Sequence, residues 1–219
     1  MLSCKHQAPS YSSATTTTSD VWDLAREIEE SMVVPTFPKR TFNILEYGAV
    51  KDGEALNTAA FSEAIRACSE EGGGTVLVPE GIFYSGAIHL LDNVNLHLEE
   101  GAEIKFSADP DDFLPVVHTS WEGTELMNYS PLIYAHGKTN IAVNGKGTLN
   151  GQADTTNRWT WKGSEEYGWR EGMPSQLGET SRDRLVDLAE EGLPVSERDF
   201  GKNHFLRPSF VEFLGAIIF

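Results

Sequence analysis

Basic side chains are scarce in this chain. Its 17 Lys and Arg face 33 Asp and Glu, for a formal charge of -16 over 219 residues. Such a field argues against binding nucleic acid or an anionic membrane through bulk charge. Solubility is the simplest role for the acidity, and any anionic ligand needs a site that is locally basic. Cysteine is scarcer still, with two residues. Cys68 falls on the apolar face of a predicted helix, where a thiol behaves as a small hydrophobe, and Cys4 lies in a polar tail. A disulfide between them is not expected, and there is no disulfide framework. Long apolar runs are missing as well, so no transmembrane segment is expected. No clustered Cys, His or Asp spacing suggests structural zinc. Asp52 beside Gly53 reads as turn chemistry, because no run of spaced carboxylates accompanies it. No metal and no cofactor are expected.

What is present suffices for a real core: 40% of the residues are hydrophobic, consistent with one or two domains. Residues 1–19 are rich in Ser, Thr and Ala, a composition that buries nothing and reads as a tail or linker. Within it, Leu2-Ser3-Cys4 before a Ser/Thr-rich stretch is similar to the cleavage region of a bacterial lipoprotein signal. That similarity implies a lipid anchor on Cys4, a signal segment missing from this chain and an extracytoplasmic location. The alternative is an ordinary tail with a chance cysteine.

Residues 20–40 read as a helix followed by an extended lead-in. Ser19 or Asp20 can cap it, Val21, Leu24, Ala25, Ile28 and Met32 fall at helical spacing, and Pro35 and Pro38 end it. From residue 41 the pattern changes. A strand over 42–44 and a turn over 48–53 precede a second helix over 57–70, with Phe61, Ala64, Ile65 and Cys68 on its buried stripe. Gly72-Gly73-Gly74 stops that helix. Short glycine-closed strands follow, through Asn93-Val94-Asn95-Leu96 and Asn140-Ile141-Ala142-Val143.

This is the pattern of a right-handed parallel β-helix, an all-β solenoid whose first coil needs a helix to cap its apolar end and strand edges. The 47 residues between Asn93 and Asn140 fit two coils of twenty-odd residues. Residues 152–206 interrupt the stack as an insertion, with a short helix near 182–191 closed by Gly192 and Pro194. A returning strand over 210–219 ends without a cap, which reads as a truncated, aggregation-prone edge. Residues 41–219 are therefore expected to be a partial β-helix.

Several motifs carry a resemblance. Tyr47-Gly48-Ala49-Val50-Lys51-Asp52-Gly53, Gly72-Gly73-Gly74-Thr75-Val76-Leu77-Val78-Pro79 and Gly101-Ala102 resemble the amino-terminal part of polygalacturonases, the pectin-degrading glycoside hydrolases of family 28. Phe106-Ser107-Ala108-Asp109-Pro110 and Val195-Ser196-Glu197-Arg198-Asp199, with Leu206-Arg207-Pro208, look like bacterial members, often exo-acting. The resemblance implies the pectin-lyase-like β-helix and an inverting hydrolysis, with one aspartic acid protonating the leaving oxygen and others activating water. It also implies pectic polysaccharide or oligogalacturonide as the partner.

The family's catalytic groups sit in Asn-Thr-Asp, Asp-Asp after glycine, Gly-His-Gly and Arg-Ile-Lys motifs, and this sequence contains none of them. Asp111-Asp112 follows Pro110 and reads as a solvated turn. No catalytic residue is carried over, and the 219-residue chain is expected to be inactive as a fragment. Two other functions fit the same strands: a lyase or epimerase-type β-helix, and a carbohydrate-binding, adhesin-like solenoid.

Candidate sugar contacts are Trp121, Tyr129, Trp159 and Trp161, whose rings can stack on pyranose faces. Packing of the insertion is the other role open to them. Glu122 can accept hydroxyl hydrogen bonds or be an ordinary surface carboxylate, and Arg207, ahead of Pro208, can hold a substrate carboxylate with its forked donors or pair structurally with a loop acid. His89 and His97 alternate within strands and read as coil-face residues.

Overall fold

The computed structural model describes residues 18–32, 34–177 and 180–216. Cys4 and residues 217–219 lie outside the described residues, and with them the expectations of a lipid anchor and of an open edge at Phe219. The chain divides into two compact units, Met1–Val34 and Pro35–Phe219. The first contains α1 (Thr18–Ser31), close to the helix predicted there. Among the described residues no helix is long and apolar enough to cross a membrane.

The second unit opens with β1 (Thr41–Asn43) and then α2 (Thr58–Glu70). Three short strands follow: β2 (Gly74–Val78), β3 (Gly81–Ser85) and β4 (Ile88–His89). The next coil repeats the order with β5 (Val94–Leu98) and β6 (Ala102–Phe106). An excursion carries β7 (Val117–Trp121) and β8 (Thr124–Asn128) before β9 (Ile133–His136), β10 (Ala142–Gly145) and β11 (Thr148–Asn150) resume the stack. The insertion holds α3 (Arg182–Glu190) and β12 (Asp199–Phe200), and β13 (Val211–Leu214) returns to the stack.

Three parallel sheets result, ordered β1-β2-β5-β10, β3-β6-β11 and β4-β9-β13. They form a right-handed parallel β-helix. Inward positions stack in register as apolar columns. One column runs Phe42, Val76, Leu96 and Val143, another Phe83, Ile104 and Leu149, a third Ile88, Ile133 and Val211.

Helix α2 caps the first coil, burying Ala60, Phe61, Ala64, Ile65 and Cys68 in the core. Its entry is fixed by Asn57. That buried side chain accepts the Val50 N–H at 2.7 Å and reaches the carbonyls of Val50, Ala55 and Tyr84 at 3.0, 2.8 and 3.1 Å. A buried amide so fully satisfied ties the loop before α2 to β3 without a desolvation penalty. At the exit, Gly73 adopts φ 99°, and a Cβ there would lie 2.5 Å from Asn93 Cβ, so only glycine fits.

The coil length differs from the sequence expectation. Thr75 pairs with Asn95, a spacing of one short coil. Asn95 also pairs with Ala142, so the 47 residues between Asn93 and Asn140 make one coil, not two. The extra length is the excursion after β6, which leaves the stack and returns to the same turn. Asn93 and Asn140 then sit one above the other, both left-handed (φ 63° and 51°), with the Asn140 amide donating to Asn93 Oδ1 at 3.0 Å. Asparagine tolerates this conformation because its short side chain can hydrogen-bond locally. His97 meets Asn144 at 2.6 Å and His89 meets Ser130 at 2.9 Å, so each histidine is engaged within the coils.

Two outcomes test this packing by urea unfolding. Phe61→Ala, at a fully buried site under the first coil, is expected to cost about 3–5 kcal/mol. Gly145→Ala, at φ 114° with a Cβ that would fall 2.0 Å from the Leu98 carbonyl oxygen, is expected to cost about 1–3 kcal/mol or more. Wild-type midpoints in both would show that neither position is as constrained as described.

Candidate functional site

The two excursions from the stack build one lobe. Strands β7 and β8 form an antiparallel hairpin, and β12, from the insertion, adds to β8 in parallel with Met127 opposite Asp199. A second small core seals the lobe: Trp121, Leu126, Leu185, Leu188, Phe200 and Leu206. Polar ties reinforce it. Asn128 donates to the Leu206 carbonyl at 3.0 Å, and Arg198 donates to the carbonyls of Leu193 and Glu125 at 2.9 and 3.0 Å. The Glu212 carboxylate on β13 accepts from Thr119 Oγ1 at 2.6 Å and Ser120 N at 2.9 Å, which joins the hairpin to the stack.

Where the insertion leaves and rejoins the solenoid, a pocket of about 160 Å³ opens, lined by Leu132, Arg158, Trp159, Arg207, Pro208 and Phe210 among others. Its lining is mostly apolar and includes two arginines. Arg158 Nη2 donates to the Ser107 carbonyl at 2.9 Å, and its guanidinium lies 4.4 Å from the centroid of the Phe113 ring. Its Nε is buried and, among the described residues, has no hydrogen-bond partner. Burial pulls the Arg158 pKa down to about 10, so the group stays cationic at neutral pH. Arg207 Nε donates to Gln176 Oε1 at 3.0 Å. Burial lowers its pKa also, and the Glu122 carboxylate partly opposes that shift. Among the described residues neither arginine has a carboxylate within 4.0 Å.

The pocket unites two of the residues singled out from sequence, Trp159 and Arg207. Trp159 is 41% exposed and meets Tyr167 edge-on, with ring centroids 6.5 Å apart. Glu122, exposed at the hairpin turn with φ 48°, is the acid whose field reaches Arg207. The other aromatics are elsewhere. Trp121 is 9% exposed inside the lobe core and Tyr129 3% exposed in the main core, so both rings pack protein and offer no free face. Trp161 is half-buried between Tyr129 and Phe205, at centroid distances of 6.1 and 5.1 Å.

Arg158 was not singled out from sequence. Its only sequence signal is its place beside Trp159, and an arginine in a polar loop is ordinarily solvated. Asp111 and Asp112 belong to a 3-10 turn, Pro110–Phe113, in which Asp111 faces Lys202 at 3.1 Å and Asp112 accepts from Ser107. Among the described residues no group of three or more His, Cys, Asp or Glu is placed to share a metal ion.

No protein-family model matches the sequence. The crystal structure of a hyperthermoactive exopolygalacturonase from Thermotoga maritima superposes with a TM-score of 0.83 and 44% identity, covering 90% of this chain and 44% of that one. The chain resembles part of a polygalacturonase. Among curated proteins, the exo-poly-alpha-D-galacturonosidase of Dickeya chrysanthemi is 32% identical over 120 residues, which is 51% of this chain and 19% of that enzyme. The chain thus spans less than half the length of either relative. A structure from Parabacteroides merdae, 22% identical with a TM-score of 0.52 over 81% of this chain, supports the fold alone.

The contrast between the two tryptophans can be measured by chemical denaturation. Trp121→Ala should destabilise the chain by about 3–5 kcal/mol, the cost of emptying a packed aromatic site. Trp159→Ala should cost about 1 kcal/mol or less, as at other half-exposed positions away from a core. Equal losses would mean that Trp159 is a packing residue.

Proposed function

We propose that this chain is scaffold for a glycoside hydrolase that cleaves α-1,4-galacturonosyl linkages in pectin by inversion. One observation carries the reading: 44% identity to an exopolygalacturonase, sustained over 90% of the chain with the fold preserved. Inverting glycosidases need one carboxyl group as acid and another as base, on opposite sides of the scissile bond. The four family motifs that would supply such groups do not occur in these 219 residues. The role assigned to the chain is therefore to form the coils and the lobe against which a pectic chain or oligogalacturonide lies. A polymeric plant substrate goes with an extracytoplasmic location, and we propose that location as part of the same reading.

Incubation with polygalacturonate tests it in two steps. The 219-residue polypeptide is expected to release no reducing ends, because loss of catalytic carboxylates costs orders of magnitude in rate. Robust turnover by it would overturn the assignment of a scaffold role. A polypeptide extended beyond Phe219 that carries the motifs is expected to release saturated galacturonate. An unsaturated, ultraviolet-absorbing product would sink the hydrolase reading in favour of a lyase.

A further inference from the structure

We propose that the docking of the β7–β8 hairpin on the stack is a pH-sensitive latch, closed while His118 and His136 are neutral and released when both gain a proton. The proposal is independent of the substrate reading above. It starts from where the two imidazoles sit. His118 is on β7 of the hairpin and His136 on β9 of the stack, and their rings meet edge to face, with centroids 4.9 Å apart at an interplanar angle of 78°. Two neutral rings pack well in that geometry. Two imidazolium ions at the same separation repel, because a partly buried contact screens charge poorly. Histidine is the side chain whose ordinary charge change falls between about pH 5 and 8.

Nothing at the contact absorbs both charges. His118 Nε2 is buried and, among the described residues, has no hydrogen-bond partner. The Glu125 carboxylate of β8 lies 3.5 Å from it and can pair with one added proton. Glu125 belongs to the hairpin itself, so that pair ties His118 to its own hairpin and adds no bond to the stack. His136 is exposed to protonation from solvent and, among the described residues, has no carboxylate within 4.0 Å. Docking is therefore complete while both rings are neutral and weakens as pH falls.

The remaining polar groups around the contact hold the hairpin without sensing this change. Tyr134 of β9 donates its hydroxyl to the His118 carbonyl, and burial, aided by Glu212, pushes its pKa up to about 12, so it stays a donor throughout. His89 of β4, 5.2 Å from the Tyr134 ring, meets Ser130, and burial lowers its pKa, so it stays neutral further into acid. Glu212 of β13 accepts from Thr119 and Ser120, and Arg198 donates to the Glu125 carbonyl. The consequence reaches the pocket, because Glu122 is at the turn of this hairpin and its carboxylate acts on Arg207.

Hydrogen exchange of the 219-residue chain, followed by mass spectrometry with each rate divided by the intrinsic rate at its pH, tests the latch. Peptides across 117–128 are expected to lose roughly tenfold or more in protection between about pH 7.5 and 5, while those across 94–106 keep theirs. His136→Phe leaves an aromatic ring on β9, removes the charge and should abolish that loss.

Unchanged protection of 117–128 in the wild type overturns the proposal. An equal loss across 94–106 does the same, since it marks general acid unfolding, and so does a wild-type response in His136→Phe. Should His136→Phe fail to fold, salt keeps the test. Sodium chloride at about 0.5 M should restore most of the protection at low pH by screening the pair, and a loss indifferent to salt overturns the latch.

Discussion

Stacked parallel strands tolerate one register, because a slip of one residue turns every inward side chain outward. The columns of this solenoid show the constraint at work: Phe42, Val76, Leu96 and Val143 line up across four strands, and Phe83, Ile104 and Leu149 across three. Every other feature is subordinate to that alignment. The two long excursions leave the stack between strands and return without shifting it, since Ile88 still meets Ile133 and Ile133 still meets Val211. Chain length between coils is free; register is not.

The candidate site is a product of this separation. The coils supply a rigid edge at Leu132 and Phe210, and the insertion supplies the side chains that carry polarity, Arg158, Trp159 and Arg207. The lobe stiffens the arrangement through its own core and through the bond from Thr119 to Glu212. A pocket held between a solenoid and a lobe can be both fixed in shape and independent in chemistry, because changes in the insertion leave the ladder untouched.

Much of the fold was legible because it is local. The stripe Phe61, Ala64, Ile65 and Cys68 declares a helix, and Gly72-Gly73-Gly74 declares its end, from neighbours a few residues away. The alternation in Val94–Leu98 and Ala102–Phe106 is equally local. The length of the second coil was not legible, since nothing in residues 107–130 announces that the chain will come back to the same turn. Nor was the burial of Trp121 against the exposure of Trp159. Both are tryptophans in polar stretches, and their difference is decided by Leu185, Leu188 and Phe200, more than sixty residues after Trp121. Arg158 was missed for the same reason: Ser107 and Phe113, about fifty residues earlier at the start of the first excursion, bury it.

The pairing of Met127 with Asp199 has a consequence for how the molecule is made. Those residues are separated by β9, β10, β11 and most of the insertion, α3 included, so closing them early would carry the entropy of a long unstructured loop. Each short coil, by contrast, closes on a partner about twenty residues back. The first coils should therefore wind from the capped end, and the pairing of Met127 with Asp199 and of Ile133 with Val211, both across the insertion, should follow them. The lobe and the last strand of the stack are then expected to close together, as late steps on the coils already wound beneath them.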